Sequence, residues 1–454
     1  MFDHDNNTHS AGFNNHRNSG YFNAPRNPGF NNQRNTGTFN APRNPAPVVR
    51  PDAFPLYNRP RCCADRTNSI SNIPAENSIV YSARYGQLIL GKEIGRGGEG
   101  FVYRVAGKRV AKIYRSDTNT VFKYEKLKLL TSRKFNCNGI CFPEDILYNE
   151  VHEPVGYLME EAEGVPLSSF ALRPIFARNF PRWKKRDLVE LCITILKMIN
   201  YLHNRNIIMG DINLSNILVK DSKTVYFIDV DSFQIQDLPC PVGTLNFTPP
   251  ELYKFNSFHD VMRNFGNENY SIAVLLFTLM LPGQFPYHQK GGVSDKENIM
   301  NYAFPYPLGS IRNSNLPDGP WRFMWSHLPA DLKKAFFHTF AYGGEFTKIS
   351  KRLSAMEWKL LMQKFLYLLD SGKFGEQDEM SEEIYPTRFK KQPDSVIVNC
   401  TCCGNETDQK YVDENGVCLD CRRKQSIVSG EPMRRVKRVV SGPRPHSRVN
   451  NIIY

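Results

Sequence analysis

The chain of 454 residues has no uninterrupted apolar run of the length needed to cross a bilayer. After Met1 and Phe2 come Asp, His and Asn residues, and no charged-then-apolar signal segment follows. The expected compartment is therefore a cytoplasm, with secretion independent of a cleaved signal left open. Disulfide-framework spacing is also missing. Of 11 cysteines, Cys62, Cys63, Cys137, Cys141, Cys192 and Cys240 are scattered, and the other five fall between Cys400 and Cys421. That distribution fits reduced thiols with one metal cluster better than an oxidised scaffold. Finally, no glycine-rich segment ends in Gly-Lys-Ser/Thr, which excludes the nucleotide loop of P-loop NTPases.

Hydrophobic residues make up 41% of the chain, enough for a sizeable core, but they are unevenly spread. Residues 1–80 are rich in Asn, Pro, Gly and Arg and carry a near-repeat. Phe22-Asn23-Ala24-Pro25-Arg26-Asn27-Pro28 returns 17 positions later as Phe39-Asn40-Ala41-Pro42-Arg43-Asn44-Pro45. A unit so short and polar cannot bury a core, so the expectation is a disordered tail, with docking through its repeated Phe residues as an alternative. The formal charge is +13, and residues 422–454 hold nine Lys/Arg against Glu431 alone. This end (425–454) reads as a basic, disordered tail able to attract an anionic partner. It has neither the interleaved aromatics of a nucleic-acid reader nor an amphipathic stretch for a membrane surface.

A phosphate-binding site is suggested by Gly95-Arg96-Gly97-Gly98-Glu99-Gly100-Phe101-Val102. Glycines at 95, 97, 98 and 100 let backbone approach phosphate oxygens where a Cβ would collide. The loop lies between two strand-like segments, beginning with Gln87–Leu90. No helix follows at once, which argues against a dinucleotide fingerprint. Lys112 is embedded in the apolar strand Val110-Ala111-Lys112-Ile113 and must direct its ammonium to something anionic. The segment 121–130 has helical spacing and offers Glu125 as the expected partner, with Glu150 and Glu153 as alternatives. Val155–Met159 reads as an apolar strand running into a polar turn. Met159 would line the back of a base pocket, and Glu160 and Ala162 would offer hinge backbone. Residues 186–203 form an amphipathic helix through Leu188, Cys192, Ile195, Ile199 and Leu202.

The richest stretch is Met209-Gly210-Asp211-Ile212-Asn213-Leu214-Ser215-Asn216, followed 13 residues later by Asp229 in Ile228-Asp229-Val230-Asp231. A turn and a buried-type strand would bring Asp211, Asn216 and Asp229 around one point. Asp211 can accept the proton of a hydroxyl, and Asn216 and Asp229 offer oxygen ligands to Mg²⁺ or Mn²⁺.

Residues 87–368 resemble the eukaryotic-like (Hanks-type) protein kinase superfamily, and within it a bacterial subgroup with a Gly-Asp catalytic loop and a C-terminal cysteine module. The resemblance implies an α+β, bilobal fold over 85–370. Its β-rich N-lobe would have five strands and one helix (85–162), and its C-lobe would be helical (163–370). It implies ATP with Mg²⁺ as cofactors, a nucleotide site including Val102 and Ala111, and transfer of the γ-phosphoryl group to Ser or Thr, autophosphorylation included. Gly243-Thr244-Leu245-Asn246-Phe247-Thr248-Pro249-Pro250-Glu251 resembles the end of an activation segment. Thr244 there indicates a Ser/Thr acceptor, and Glu251 is expected to pair with Arg352. Glu268 stands where the family anchors its catalytic loop with Asp. Departures are evident. Gly210 replaces an Arg that normally grips a phosphorylated loop, so loop phosphorylation is not the expected switch. Asn213 replaces a Lys near the transferring phosphate. Val230 and Asp231 replace Phe and Gly, leaving Asp231 as an alternative metal-facing acid. A nucleotide-binding pseudokinase and a small-molecule or lipid kinase are the competing readings. The protein substrate is not readable.

After a linker (371–396), Cys400-Thr401-Cys402-Cys403 and Cys418-Leu419-Asp420-Cys421 form two Cys-x-x-Cys knuckles with 14 residues between them. Cys400, Cys403, Cys418 and Cys421 can close a tetrahedral structural Zn²⁺ shell in a module spanning 397–424, with Cys402 as the spare thiol.

Overall fold

The computed structural model describes residues 59–61, 66–171, 178–181, 183–291, 293–309, 315–317, 321–372, 397–404, 406–409, 412–418 and 421–422. The 17-residue repeat, most of the linker and the basic tail expected from the sequence lie outside these residues.

The N-lobe is a seven-stranded antiparallel sheet in the order β2-β1-β6-β7-β5-β4-β3. Its strands are β1 (Ile79–Ser82), β2 (Gly86–Ile89), β3 (Glu93–Arg96), β4 (Gly100–Val105), β5 (Arg109–Tyr114), β6 (Asp145–Tyr148) and β7 (Pro154–Glu160). Helix α1 (Val121–Thr131) is capped by Thr120, whose hydroxyl accepts from the Lys123 amide at 3.3 Å. Strand β5 shows why the sheet forms. Ala111 and Ile113 point into one apolar cluster with Val80, Leu90 and Leu158, while Val110 and Tyr114 point into another with Leu127 and Tyr157. With a period of two, Lys112 must share the face of Val110 and Tyr114.

Two expectations need correction. The sheet has seven strands, not five. The run Gln87–Leu90 breaks after Ile89, where the Gly91 amide turns to the Arg104 carbonyl at 2.8 Å, and β1 adds a further strand. The tail does not extend to residue 80 either. Ile70 and Ile73 pack on the N-lobe core, Asn68 bonds Asn119 at 3.0 Å, and the Ser71 hydroxyl donates to Glu153 at 2.8 Å.

The C-lobe opens with β8 (Val165–Pro166) and contains, among the described residues, α2 (Lys185–His203), α3 (Phe265–Met280), α4 (Asp295–Met300), α5 (Trp321–Ser326), α6 (Ala330–Phe340) and α7 (Ala355–Asp370). Helix α3 is buried from Asn267 to Met280, as an apolar helix surrounded by others must be. Asn264 and Asn267 cap it reciprocally, and Ser354 and Glu357 do the same for α7. Between α2 and α3 lie β9 (Ile207–Ile208), the hairpin β10 (Ile217–Asp221) and β11 (Thr224–Phe227), and β12 (Gln234–Ile235) paired with β9. Near the C-terminus, β13 (Ile397–Asn399) pairs with β14 (Glu406–Asp408). No described helix is long and apolar enough to cross a membrane.

Candidate active site

The glycine loop is the turn between β3 and β4, closed by the Gly97 amide on the Gly100 carbonyl at 3.0 Å. A Cβ on Gly100 would run into the Ile113 carbonyl, whereas Gly97 and Gly98 face open space. The loop is thus held tight at its base and left unobstructed at its tip, which suits backbone approach by phosphate oxygens. Val102 lies opposite Lys112 in the β4–β5 register, and Met159 lies opposite Val110 in β5–β7. Val102, Met159 and Ala162 belong to one apolar cluster that Leu218 of β10 joins from the C-lobe. Ala111 is fully buried on the opposite face of β5. Glu160 ends β7 opposite Arg109 and is exposed.

Lys112 bridges the lobes. Its Nζ donates to Asp229 Oδ1 at 3.2 Å, to Glu99 Oε2 at 3.1 Å, and to both Asp231 oxygens at 2.9 and 3.1 Å. Burial alone would depress the ammonium. Asp231 first and Asp229 next outweigh it and hold the ammonium well above the ordinary lysine range. Burial likewise opposes the Asp231 charge, but Lys112 and then Lys123 hold that carboxyl below the ordinary carboxylate value.

Glu125, expected beside Lys112, is turned away, with Lys128 at 2.5 Å and Arg61 at 4.0 Å. The alternative Glu153 binds Asn149 and Ser71. The charged residue that α1 buries is Lys126, whose Nζ donates to the carbonyls of Ser232 at 3.2 Å and Pro239 at 2.8 Å. Burial pulls its pKa down to about 8.

The catalytic-loop residues converge on Asp211. Its Oδ2 accepts from Asn213 Nδ2 and its Oδ1 from Thr244 Oγ1, both at 2.8 Å. Asn216 Nδ2 donates to the Asp211 carbonyl at 3.2 Å, and the Asn216 carbonyl accepts from the Ile228 amide at 3.0 Å. The second bond extends the β10–β11 hairpin and sets Asn216 and Asp229 at the same end of it. Asp229 has φ 57° and ψ 38°, the left-handed region. A short 3-10 turn (Val230–Ser232) follows and carries Asp231 inward.

Glu268 anchors this loop from α3. Its Oε2 accepts the Gly210 amide at 2.8 Å, and its Oε1 accepts the Met209 amide at 3.2 Å and meets His203 Nε2 at 3.0 Å. Gly210 has φ +75°, and a side chain there would strike the Arg263 guanidinium and Cys240. Arg263, 4% exposed, fills the space and donates from Nη2 to the Val242 carbonyl at 2.6 Å. Glu251 accepts from Arg352 at 2.6 and 2.9 Å and from Asn267 Nδ2 at 2.7 Å. Burial would raise the Glu251 carboxyl, but the Arg352 bonds win and hold it below its ordinary value.

The glycine loop, a lysine bonded across the lobes to Asp229, and Asp211 beside Asn216 sit in a two-lobed frame, and the sequence comparison agrees. The family profile of the protein kinase domain matches residues 88–318. The chain belongs to the protein kinase domain family. Such a domain implies use of ATP and Mg²⁺. Among curated relatives, the protein kinase YegI of Escherichia coli K12 is 29% identical over 59% of this chain and 43% of its own length. A putative serine/threonine-protein kinase, R436, of Acanthamoeba polyphaga mimivirus is 26% identical over 39% of this chain and 61% of its own. Serine/threonine-protein kinase dkf-1 of Caenorhabditis briggsae is 24% identical over 51% of this chain and 31% of its own. The matched stretch thus spans less than half of the E. coli kinase.

Sequence reasoning missed Tyr114, Tyr157 and Leu218. Leu218 was findable by alternation, since its neighbours Ile217 and Val219 are buried at 0% and 1% exposure and it must face the other way.

The four cysteines of the C-terminal knuckles, Cys400, Cys403, Cys418 and Cys421, bring their sulfurs within 4.8 Å of one another. The Cys400–Cys421 and Cys403–Cys418 separations are both 3.9 Å. Four sulfurs at about 2.3 Å from a tetrahedral Zn²⁺ would stand about 3.8 Å apart, so the donor set fits that ion. The amides of Cys418 and Cys402 donate to Cys400 Sγ at 3.2 and 3.4 Å. These bonds, Cys418 first, draw the thiol down to about 6, which favours the thiolate a metal needs. Cys402 is exposed.

Proposed function

We propose that this chain is an active ATP-dependent protein kinase that transfers the γ-phosphoryl group to Ser or Thr. The observation that carries the reading is the Lys112–Asp229 contact at 3.2 Å, which sets a phosphate-binding cation of one lobe against a metal-ligating acid of the other. Bound Mg-ATP would supply the transferable phosphoryl group and neutralise its charge. Asn216 and Asp229 would hold the metal through oxygen, and Lys112 would orient the phosphates once Glu99 releases it. The Glu99 side chain is 37% exposed, so that release costs little. Asp211 would orient the acceptor hydroxyl. Its present partner, the Thr244 hydroxyl, is chemically of the kind a Ser or Thr substrate presents, which supports the acceptor class. The base would rest among Val102, Met159, Ala162 and Leu218, with hinge backbone from Glu160 to Ala162. Glu251, Arg352 and Glu268 would brace the activation segment and catalytic loop. Ser and Thr in the two tails make autophosphorylation part of the reading. The Gly210-Asp211 loop and the knuckles favour the bacterial subgroup, with a structural Zn²⁺ on Cys400, Cys403, Cys418 and Cys421.

The test is label transfer from γ-labelled ATP with Mg²⁺ or Mn²⁺ to the chain itself and to protein acceptors. Asp211→Ala and Asp229→Ala should each lower turnover by about 10²-fold or more. Labelled phosphoserine or phosphothreonine is expected. Nucleotide binding without transfer to any acceptor would replace the reading by that of a pseudokinase, and label on a small molecule would replace it by that of a small-molecule kinase.

A further inference from the structure

The acid that secures Lys112 comes from the turn after β11, and helix α1 supplies none. We propose that Asp231, held by the Tyr114 and Tyr157 hydroxyls, is the positioning residue that fixes Lys112 for phosphoryl transfer. The proposal rests on the kinase reading above.

Burial separates the three anions around Lys112. The Asp231 side chain is 1% exposed and that of Lys112 6%, whereas Glu99 and Asp229 are 37% and 44% exposed. Water screens the last two, so they can exchange Lys112 for other partners, while the Asp231 bond is shielded. The Asp231 carboxylate is also saturated. Oδ1 accepts from Lys112 at 2.9 Å and from the Tyr157 hydroxyl at 2.8 Å, and Oδ2 from the Tyr114 hydroxyl at 2.7 Å and from Lys112 at 3.1 Å. Four hydrogen bonds from three donor groups occupy its roughly four acceptor sites, leaving none for a metal ion. That assigns the metal-facing role to the exposed Asp229 and the tether to Asp231.

Helix α1 cannot serve as the tether. Toward the cleft it presents Lys123, bonded to Glu99 at 2.9 Å, and the buried Lys126, while Glu125 faces Lys128. Both helix cations feel the Asp231 charge, which offsets them. Tyr114 and Tyr157 come from the same sheet as Lys112, so the whole tether lies between β5, β7 and the turn after β11. The acid that pairs Lys112 thus does not ride on α1, in contrast to an arrangement in which the helix itself carries it; α1 meets the turn after β11 through Lys126 on the Ser232 carbonyl.

The experiment compares steady-state transfer by full-length Asp231→Asn, Glu125→Gln and wild type, together with a thermal-melting cycle that combines each with Lys112→Met. Asp231→Asn should lower kcat about 10- to 100-fold, the worth of a hydrogen bond to a charged group, and leave KM for ATP within about 3-fold. Glu125→Gln should change neither more than about 2-fold. In melting, Lys112→Met and Asp231→Asn should be non-additive, the double variant melting several degrees above the sum of the singles, because a lone buried charge costs more than none. Lys112→Met and Glu125→Gln should add. Additive Lys112 and Asp231 effects, or an Asp231→Asn kcat within 3-fold of wild type, overturn the proposal. If Asp231→Asn does not fold, Tyr114→Phe/Tyr157→Phe decides, since it keeps the charge pair. Its kcat should fall about 3- to 10-fold at unchanged KM, and an unchanged kcat overturns the tether. A wild type that transfers no label but shows the melting coupling removes the kinase reading and reduces the pair to a brace.

Discussion

Lys126 makes the stability of the N-lobe depend on alkaline pH in a direction opposite to most lysines. Its side chain is fully buried, and its Nζ donates to the Ser232 and Pro239 carbonyls and meets no carboxylate among the described residues. Desolvation lowers its pKa from 10.5 to about 8, opposed by the charges of Cys240, Asp231 and Glu99 and reinforced by Lys123. Between these two values the unfolded chain carries a proton that the folded chain does not. Raising the pH from about 8 to about 10.5 therefore stabilises the fold, and the cost of charging Lys126 is fully present below pH 8. At about 1.4 kcal/mol per unit the gain totals about 3 kcal/mol, and at about 2 °C per kcal/mol for a domain of this size it reaches about 6 °C. The assay is the melting temperature of wild type minus that of Lys126→Met, measured from pH 6 to 10.5. Taking the difference removes Tyr114, Tyr157 and the other groups that titrate in both proteins. A difference that is flat below pH 7.5 and rises above 8 is expected. A difference that is flat throughout, or falls above pH 8, would refute the reasoning.

Three further outcomes follow from the same geometry. Glu251→Ala should cost about 3–5 kcal/mol in chemical denaturation, because it strands Arg352, whose side chain is 1% exposed. Since the folded Glu251 carboxyl lies below its ordinary 4.5, the stability it contributes is present above that pH and lost as the pH falls through the folded value, so the penalty of the variant should shrink in acid. Gly100→Val should abolish nucleotide binding, measured by equilibrium dialysis with labelled ATP, because a side chain there meets the Ile113 carbonyl. Purified protein should carry one zinc per chain by elemental analysis. Cys418→Ser should lower that content strongly, and strong chelators should make the 397–422 segment protease-sensitive.

Much of the candidate site was legible because the chain itself brings its residues together. Asp211, Asn213 and Asn216 lie on one loop and need only local bonds to converge, and Asp229 is brought back by a hairpin whose turn and strands are marked by composition. The seven-stranded sheet was less legible. Its added strand β1 is half-buried and pairs with β6 across more than 60 residues, a contact no local pattern reports. Segment 66–80 looked like tail because its two anchoring isoleucines are isolated among polar residues.

The tethers were illegible for a different reason. A sequence motif identifies a function by its position, whereas an ion pair requires only that two charges arrive at the same place. Glu125 had the expected position, yet its helix rotates it toward Lys128, and the anion reaches Lys112 from 119 residues away through Asp231. The same holds at Gly210, where the missing side chain marks the space that Arg263 fills from the loop before α3, reaching the Val242 carbonyl. At both places a buried charge is supplied from elsewhere. A low-dielectric site makes this necessary, since Lys112 at 5% exposure cannot remain charged without a partner, whichever strand or helix supplies it. Val230 and Asp231 therefore should not be counted as decay of the family pattern. Asp231 meets Lys112 directly, while α1 turns the buried Lys126 inward to the Ser232 and Pro239 carbonyls.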